Sequence, residues 1–205
     1  SGTPNDAFGF QALYSNTTGV NNVAVGYESL SGNTIGQQNT AVGAVALGNN
    51  VSGNNNTAIG FYALLTNTAS NNTAVGDQAL RLNTTGTPND AFGYQALYNN
   101  STGFQNVAIG TYSLKNNTTG SSNVAIGTYS GYAITTGNDN TALGYNSLAN
   151  GATGTFSSCT AIGNNALQAN TASNNTAVGL QALFYNTSGT PNDAFGYQAL
   201  RSNTT

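Results

Sequence analysis

The sequence predicts an all-β chain wound as a parallel β-solenoid of about twelve rungs of ~17 residues. Three observations carry that prediction. One short phrase occurs twelve times, and its closing glycine, from Gly9 to Gly196, returns at spacings of 17, 17, 17, 16, 17, 17, 17, 17, 19, 16 and 17 residues. So short and fixed a period marks units that bury their apolar faces only against their neighbours. A Gly or Pro about every eight residues disfavours helix. Length changes and prolines fall in one stretch of the unit, as expected where strand register must be kept.

The unit is typified by the 17 residues from Asn106 to Ser122. Its first position is Asn in eleven units, with Cys159 the exception, and its third is Ala in all twelve. The fourth is always Val, Ile, Leu or Phe, and the fifth always Gly. The eighth is Ala or Ser, and the ninth is Leu except at Gly131. The twelfth is Asn except at Ile134 and Gly151. We read this as two short strands per rung, separated at the invariant glycine, where a Cβ would clash or φ turns positive. The tail, typically Asn-Thr-Thr-Gly-x-x-Asn, has the residues of a turn. Pro4, Pro88 and Pro191 fall there, as do the compact segments 67–71 and 170–174 and the insertion 155–158. A block repeat of 103 residues, such as 68–83 against 171–186, reads as duplication and needs no functional account.

Alternation within the first strand gives the sharpest expectation. Neighbouring strand residues face opposite ways, yet the third and fourth positions are both restricted. Both faces are therefore expected to be buried. One can be the rung interior, and the other needs a partner surface. The fourth and ninth positions are expected to be buried and the seventh exposed, in a rod roughly 55 Å long. Which of the two strand faces meets a partner stays open at this point.

Composition removes several function classes. The chain has 34 Asn, 29 Thr and 26 Gly, only 4% charged residues, a net charge of −3 and no His, Trp or Met. Three scattered cations, Arg81, Lys115 and Arg201, cannot neutralise a run of phosphates, so no nucleic-acid partner is expected. No apolar run approaches the roughly 20 residues of a membrane span. The lone Cys159 forms no intrachain disulfide, and scarce Cys and charge suit an extracellular surface. Residues 1–205 read as a single array, beginning and stopping inside turn segments, and are expected to be part of a longer fibre without caps.

The phrases Asn-Val-Ala-Ile-Gly-x-x-Ser (106–113 and 123–130) and Asn-Thr-Ala-Val-Gly-x-x-Ala-Leu (72–80 and 175–183) resemble the head repeats of trimeric autotransporter adhesins. The resemblance covers all twelve units. It implies a left-handed β-roll, a tight homotrimer, and a place at the cell surface in adhesion to a host-surface protein or glycan. Similar arrays occur in proteins resembling phage or viral tail fibres, and the longer unit, the added ninth-position Leu and the low charge depart from the usual adhesin head.

Candidate chemistry is sparse, and no catalytic, cofactor or metal residue is assigned. Without His, a nucleophile would need a carboxylate or Lys base, and none stands near a suitable partner in sequence, so no enzyme is expected. Cys159 takes an Asn position and reads as a tolerated substitution. Asp6, Asp90 and Asp193 share the second position and read as turn caps, or as cation ligands if symmetry brings three together. Triplets such as Asn16-Thr17-Thr18 arise from composition. The recognition candidates are aromatic: Tyr14, Tyr98, Tyr132 and Phe184 at the tenth position, and Phe10, Tyr27, Phe61, Tyr94, Tyr145 and Tyr197 at the sixth. They can stack on one another across rungs or on sugars. The expected function is a structural or adhesive surface fibre, with a phage or viral fibre as the alternative. An ice-binding solenoid fits less well, because Thr is interrupted by Asp and Val along the second position.

Overall fold

The computed structural model describes residues 2–150 and 154–204. Ser1, Thr205 and the twelfth-position Gly151 lie outside the described residues. Twelve strands run along the chain: β1 (Asn5–Phe8), β2 (Asn22–Val25), β3 (Thr40–Val42), β4 (Thr57–Ile59), β5 (Asn72–Val75), β6 (Asn89–Phe92), β7 (Asn106–Ile109), β8 (Val124–Ile126), β9 (Thr141–Leu143), β10 (Thr160–Ile162), β11 (Asn175–Val178) and β12 (Asn192–Phe195). They form one sheet in sequence order, every pairing parallel. No described residue is helical. Each strand pairs like with like, as Ala108 with Ala125 and Ile109 with Ile126. Insertions therefore shift turns and never register. Eleven inter-strand steps of about 4.8 Å place β1 and β12 about 53 Å apart.

The glycine after each strand fills the role its invariance suggests. Its φ lies between 121° and 140° along the array, and a Cβ on Gly110 would come within 2.7 Å of the Gly127 carbonyl group. Glycine stacks on glycine, and a side chain has no room.

The second strand expected in each rung is replaced by another hydrogen-bonded ladder. Positions seven and nine both have φ near 50°, for example Gln95 at 52° and Leu97 at 51°. Left-handed residues flanking position eight prevent a regular strand. Rung-to-rung bonding persists nonetheless: Leu97 N–H donates to Ser113 O at 3.0 Å, and Gln95 N–H donates to Asp77 O at 3.0 Å.

The interior is a single file of small, apolar and amide side chains. Ala24 to Ala194 at the third position are buried, with the ninth-position leucines from Leu13 to Leu183 and the eighth-position Ala or Ser beside them. Two asparagine ladders complete it. At the first position, Asn123 Nδ2 donates to Asn106 Oδ1 at 3.1 Å and to Gly137 O at 2.9 Å. At the twelfth, Asn100 Nδ2 donates to Asn83 Oδ1 at 2.8 Å and to Gly103 O at 3.0 Å. A buried amide is tolerable only when bonded in this way. Where Ile134 interrupts the twelfth-position ladder, Asn117 Oδ1 is left buried without a partner. Hydroxyls at position thirteen add an outer series, as when Thr84 Oγ1 donates to Ser101 O at 2.9 Å.

Two burial expectations require correction. The ninth position is buried, but the fourth is not, because the lumen is already filled by Ala and Leu columns. Within one chain Val25, Ile59, Phe92, Ile109, Ile126 and Leu143 are 36–42% exposed. The seventh position is mostly half-buried, because its backbone turns the side chain along neighbouring rungs.

Candidate functional site

The outer face of the sheet carries two parallel columns. Strand alternation turns positions one and three inward, so positions two and four point outward. The fourth-position column runs from Phe8 to Phe195 and is apolar in every rung. Beside it stand Asp6, Val23, Thr40, Thr57, Thr73 and Asp90, and their equivalents. Asp6, Asp90 and Asp193 belong to β1, β6 and β12 and are exposed, with no side-chain hydrogen bond among the described residues. They therefore sit on the sheet and do not cap turns, and within one chain they are spread along the rod.

Cys159 is buried and reduced. Its sulfur lies 3.3 Å from Ala172 O and 3.6 Å from Asn170 Nδ2, in place of the ladder asparagine. Burial pushes the thiol above its ordinary value, against the hydrogen bonds that lower it, which keeps it protonated and unreactive at neutral pH.

Past the glycine bend lies an aromatic strip built from positions six, seven and ten. Phe10 stacks on Tyr27 with centroids 5.4 Å apart, and Tyr112 stacks on Tyr129 at 5.1 Å. Tyr94 meets Tyr112 edge-on at 5.2 Å, and Tyr129 meets Tyr132 at 5.5 Å. Cross-rung packing is thus realised at Phe10–Tyr27 and along Tyr94, Tyr112 and Tyr129, whereas Tyr14, Tyr145 and Tyr197 make no ring contact among the described residues. The three cations, all at position ten, insert between rings. Arg81 lies 5.0 Å from the Tyr62 centroid and donates to Tyr98 Oη at 2.7 Å. Lys115 lies 4.6 Å from Tyr112 and 5.9 Å from Tyr98. Arg201 sits over Phe184 and Tyr185. A strip of alternating rings and cations therefore runs from Tyr62 to Tyr132. Desolvation by neighbours, then the hydrogen bond with Tyr94, holds the Tyr112 phenol above its ordinary value.

At the end of this strip an open cleft of about 270 Å³ is lined by Tyr129, Tyr132, Tyr145, Asn146, Ala149 and Asn150. Of the sequence-expected aromatics, Tyr132 and Tyr145 meet here, whereas Phe10 and Tyr27 form a separate stack near β1. Tyr62, Tyr112 and Tyr129, at the seventh position, were missed. Reading that column down the period would have found them, but a two-strand rung hides that it adjoins the sixth and tenth. Among the described residues no cluster of three or more His, Cys, Asp or Glu side chains is placed to hold a metal ion, and no helix is long and apolar enough to cross a membrane. No family model matches the chain, and no curated protein or solved structure matches it.

Proposed function

We propose that the chain is the rod of an extracellular fibre, on a cell or virion surface, in which three copies pack through their outer sheet faces and the remaining sides are displayed for binding. The observation that carries this reading is the fourth-position column, which keeps an apolar side chain outside the core on all twelve strands. Full burial of such a side chain is worth about 1.5–3 kcal/mol. A continuous exposed stripe of them marks an interaction surface. A periodic column is matched best by another column of the same period, which a second copy of this chain supplies. The resemblance to trimeric adhesin heads supports three copies and an adhesive role.

The test is native mass spectrometry on the unaltered chain and on an Ile109→Lys, Ile126→Lys variant. The unaltered chain should be a trimer. The variant should shift to monomer while keeping its β circular dichroism. A variant that stays assembled would rule out the outer face as the contact.

A further inference from the structure

We propose that the cleft between the β8 and β9 rungs binds saccharide, taking one pyranose ring of a neutral glycan. This deepens the display role proposed above and rests on it. The cleft lining consists of three phenol rings, two carboxamides and a methyl group, with no charged side chain. A pyranose presents the matching surfaces: a C–H face that packs on the electron-rich face of an aromatic ring, and a rim of hydroxyls that both donate and accept. A carboxamide offers two donors and an acceptor on one short side chain, which suits vicinal hydroxyls.

Asn146 and Asn150 have that capacity free. The interior asparagines are bonded into ladders, but the side chains of these two make no hydrogen bond among the described residues. Two of the three rings, in contrast, are braced, while Tyr145 stands half exposed across from them. Tyr132 packs on Tyr129, which stacks on Tyr112, which meets Tyr94. A wall already ordered loses little freedom when a ligand arrives.

The cleft also coincides with the chief departure from the repeat. The ninth-position Leu is replaced by Gly131, and the ladder Asn by Ile134. The two exchanges compensate inside the rung: a Cβ on Gly131 would lie 2.9 Å from Leu114 Cδ2 and 3.3 Å from Ile134 Cδ1, so the isoleucine fills the room the leucine vacates. One turn later Phe156 stands where other rungs have a turn Gly, or Ala in the compact turns (Ala69, Ala172), with its ring buried and its carbonyl accepting from Asn140 Nδ2 at 3.1 Å. Elsewhere the array differs from rung to rung mainly on its surface. Here the core itself is rebuilt, beneath Tyr129 and Tyr132. A charged sugar is disfavoured, because Arg81 and Lys115 are engaged with rings further along the strip. The cleft residues lie past the glycine bend, so the proposed assembly through the strand face does not use them.

The experiment is saturation-transfer NMR with calorimetry. Its probes are the methyl glycosides of glucose, galactose, mannose and N-acetylglucosamine, their disaccharides, and sialyllactose as the charged control. At least one neutral probe should bind, and Tyr132→Ala and Tyr145→Ala should each weaken it tenfold or more. Tyr27→Ala, in the separate stack, should leave it unchanged. Asn146→Gly, which suits the positive φ of 54° there, and Asn150→Ala, at an exposed residue, should also weaken binding and keep the test decisive if a tyrosine variant misfolds. Failure of every neutral probe, equal binding by all variants, or preference for sialyllactose would each overturn the proposal. Sedimentation of the same samples separates the two readings. An intact oligomer that binds no sugar removes only this inference, whereas a monomer removes the fibre assembly.

Discussion

Ala108 and Ile109 are adjacent residues of one strand, equally restricted in sequence, and they live in opposite surroundings. Ala108 is fully buried in the lumen, while Ile109 is 39% exposed on the outer face. Their equivalents repeat this contrast down the rod. The inner column is restricted because the rung leaves no volume there, and size alone is read. The outer column keeps apolar character while its size varies from Val to Phe, which is the pattern of a surface that must stay dry without a fixed pocket. Equal restriction thus has two causes, and each can be broken separately.

The largest effect is expected from the inner side. Leu97 is fully buried and held in a left-handed conformation by its bond to Ser113 O. Leu97→Ala should lower the stability of the folded chain by about 2–5 kcal/mol in chemical denaturation, because adjoining rungs cannot collapse into the cavity. Ala108→Leu should cost about 1–3 kcal/mol by overpacking against Ala91 and Ala125 in the rungs on either side. Asn100→Ala should fall in the same range, about 1–3 kcal/mol, through the amides it orphans: Asn117 Nδ2 loses its bond to Asn100 Oδ1, and the Asn83 acceptor goes unmatched. The smallest effect is expected at Thr111, a half-buried sixth-position residue with no side-chain hydrogen bond among the described residues. Thr111→Ala should change stability by less than about 0.5 kcal/mol. Equal losses for Ala108→Leu and Thr111→Ala would show that the Ala column reflects duplication rather than packing.

Much of the fold was legible because the period itself is the fold. Rung count, parallel pairing, in-register strands and the glycine bend all follow from which positions never vary. Other features were hidden for physical reasons. Leucine at φ near 50° runs against its preference, so the ninth position read as strand when it is a left-handed turn residue facing inward. The asparagines read as turn formers by their usual chemistry, whereas those at positions one and twelve are core residues paired with their own copies. Restriction on both strand faces was readable, but its direction was not, since either Ala or the larger residue could line a narrow lumen. Position ten aromatics were recognisable, yet the strip they share with Tyr62, Tyr112 and Tyr129 depends on the backbone turning at position seven. The cleft was marked in sequence by Gly131 and Ile134, two exceptions in adjoining columns of one rung. Their meaning required the structure, because only the packing of Ile134 against the Gly131 site shows that one exchange answers the other.

The central claim is that the outward apolar column is covered by copies of this chain. Sedimentation equilibrium of the unaltered protein at micromolar concentration tests it most directly. The account predicts a single species of three times the chain mass of 20.7 kDa, unchanged on dilution through that range. A stable, folded monomer would contradict it, and a dimer would retain the covered face while contradicting the threefold assembly that the adhesin-like repeats imply.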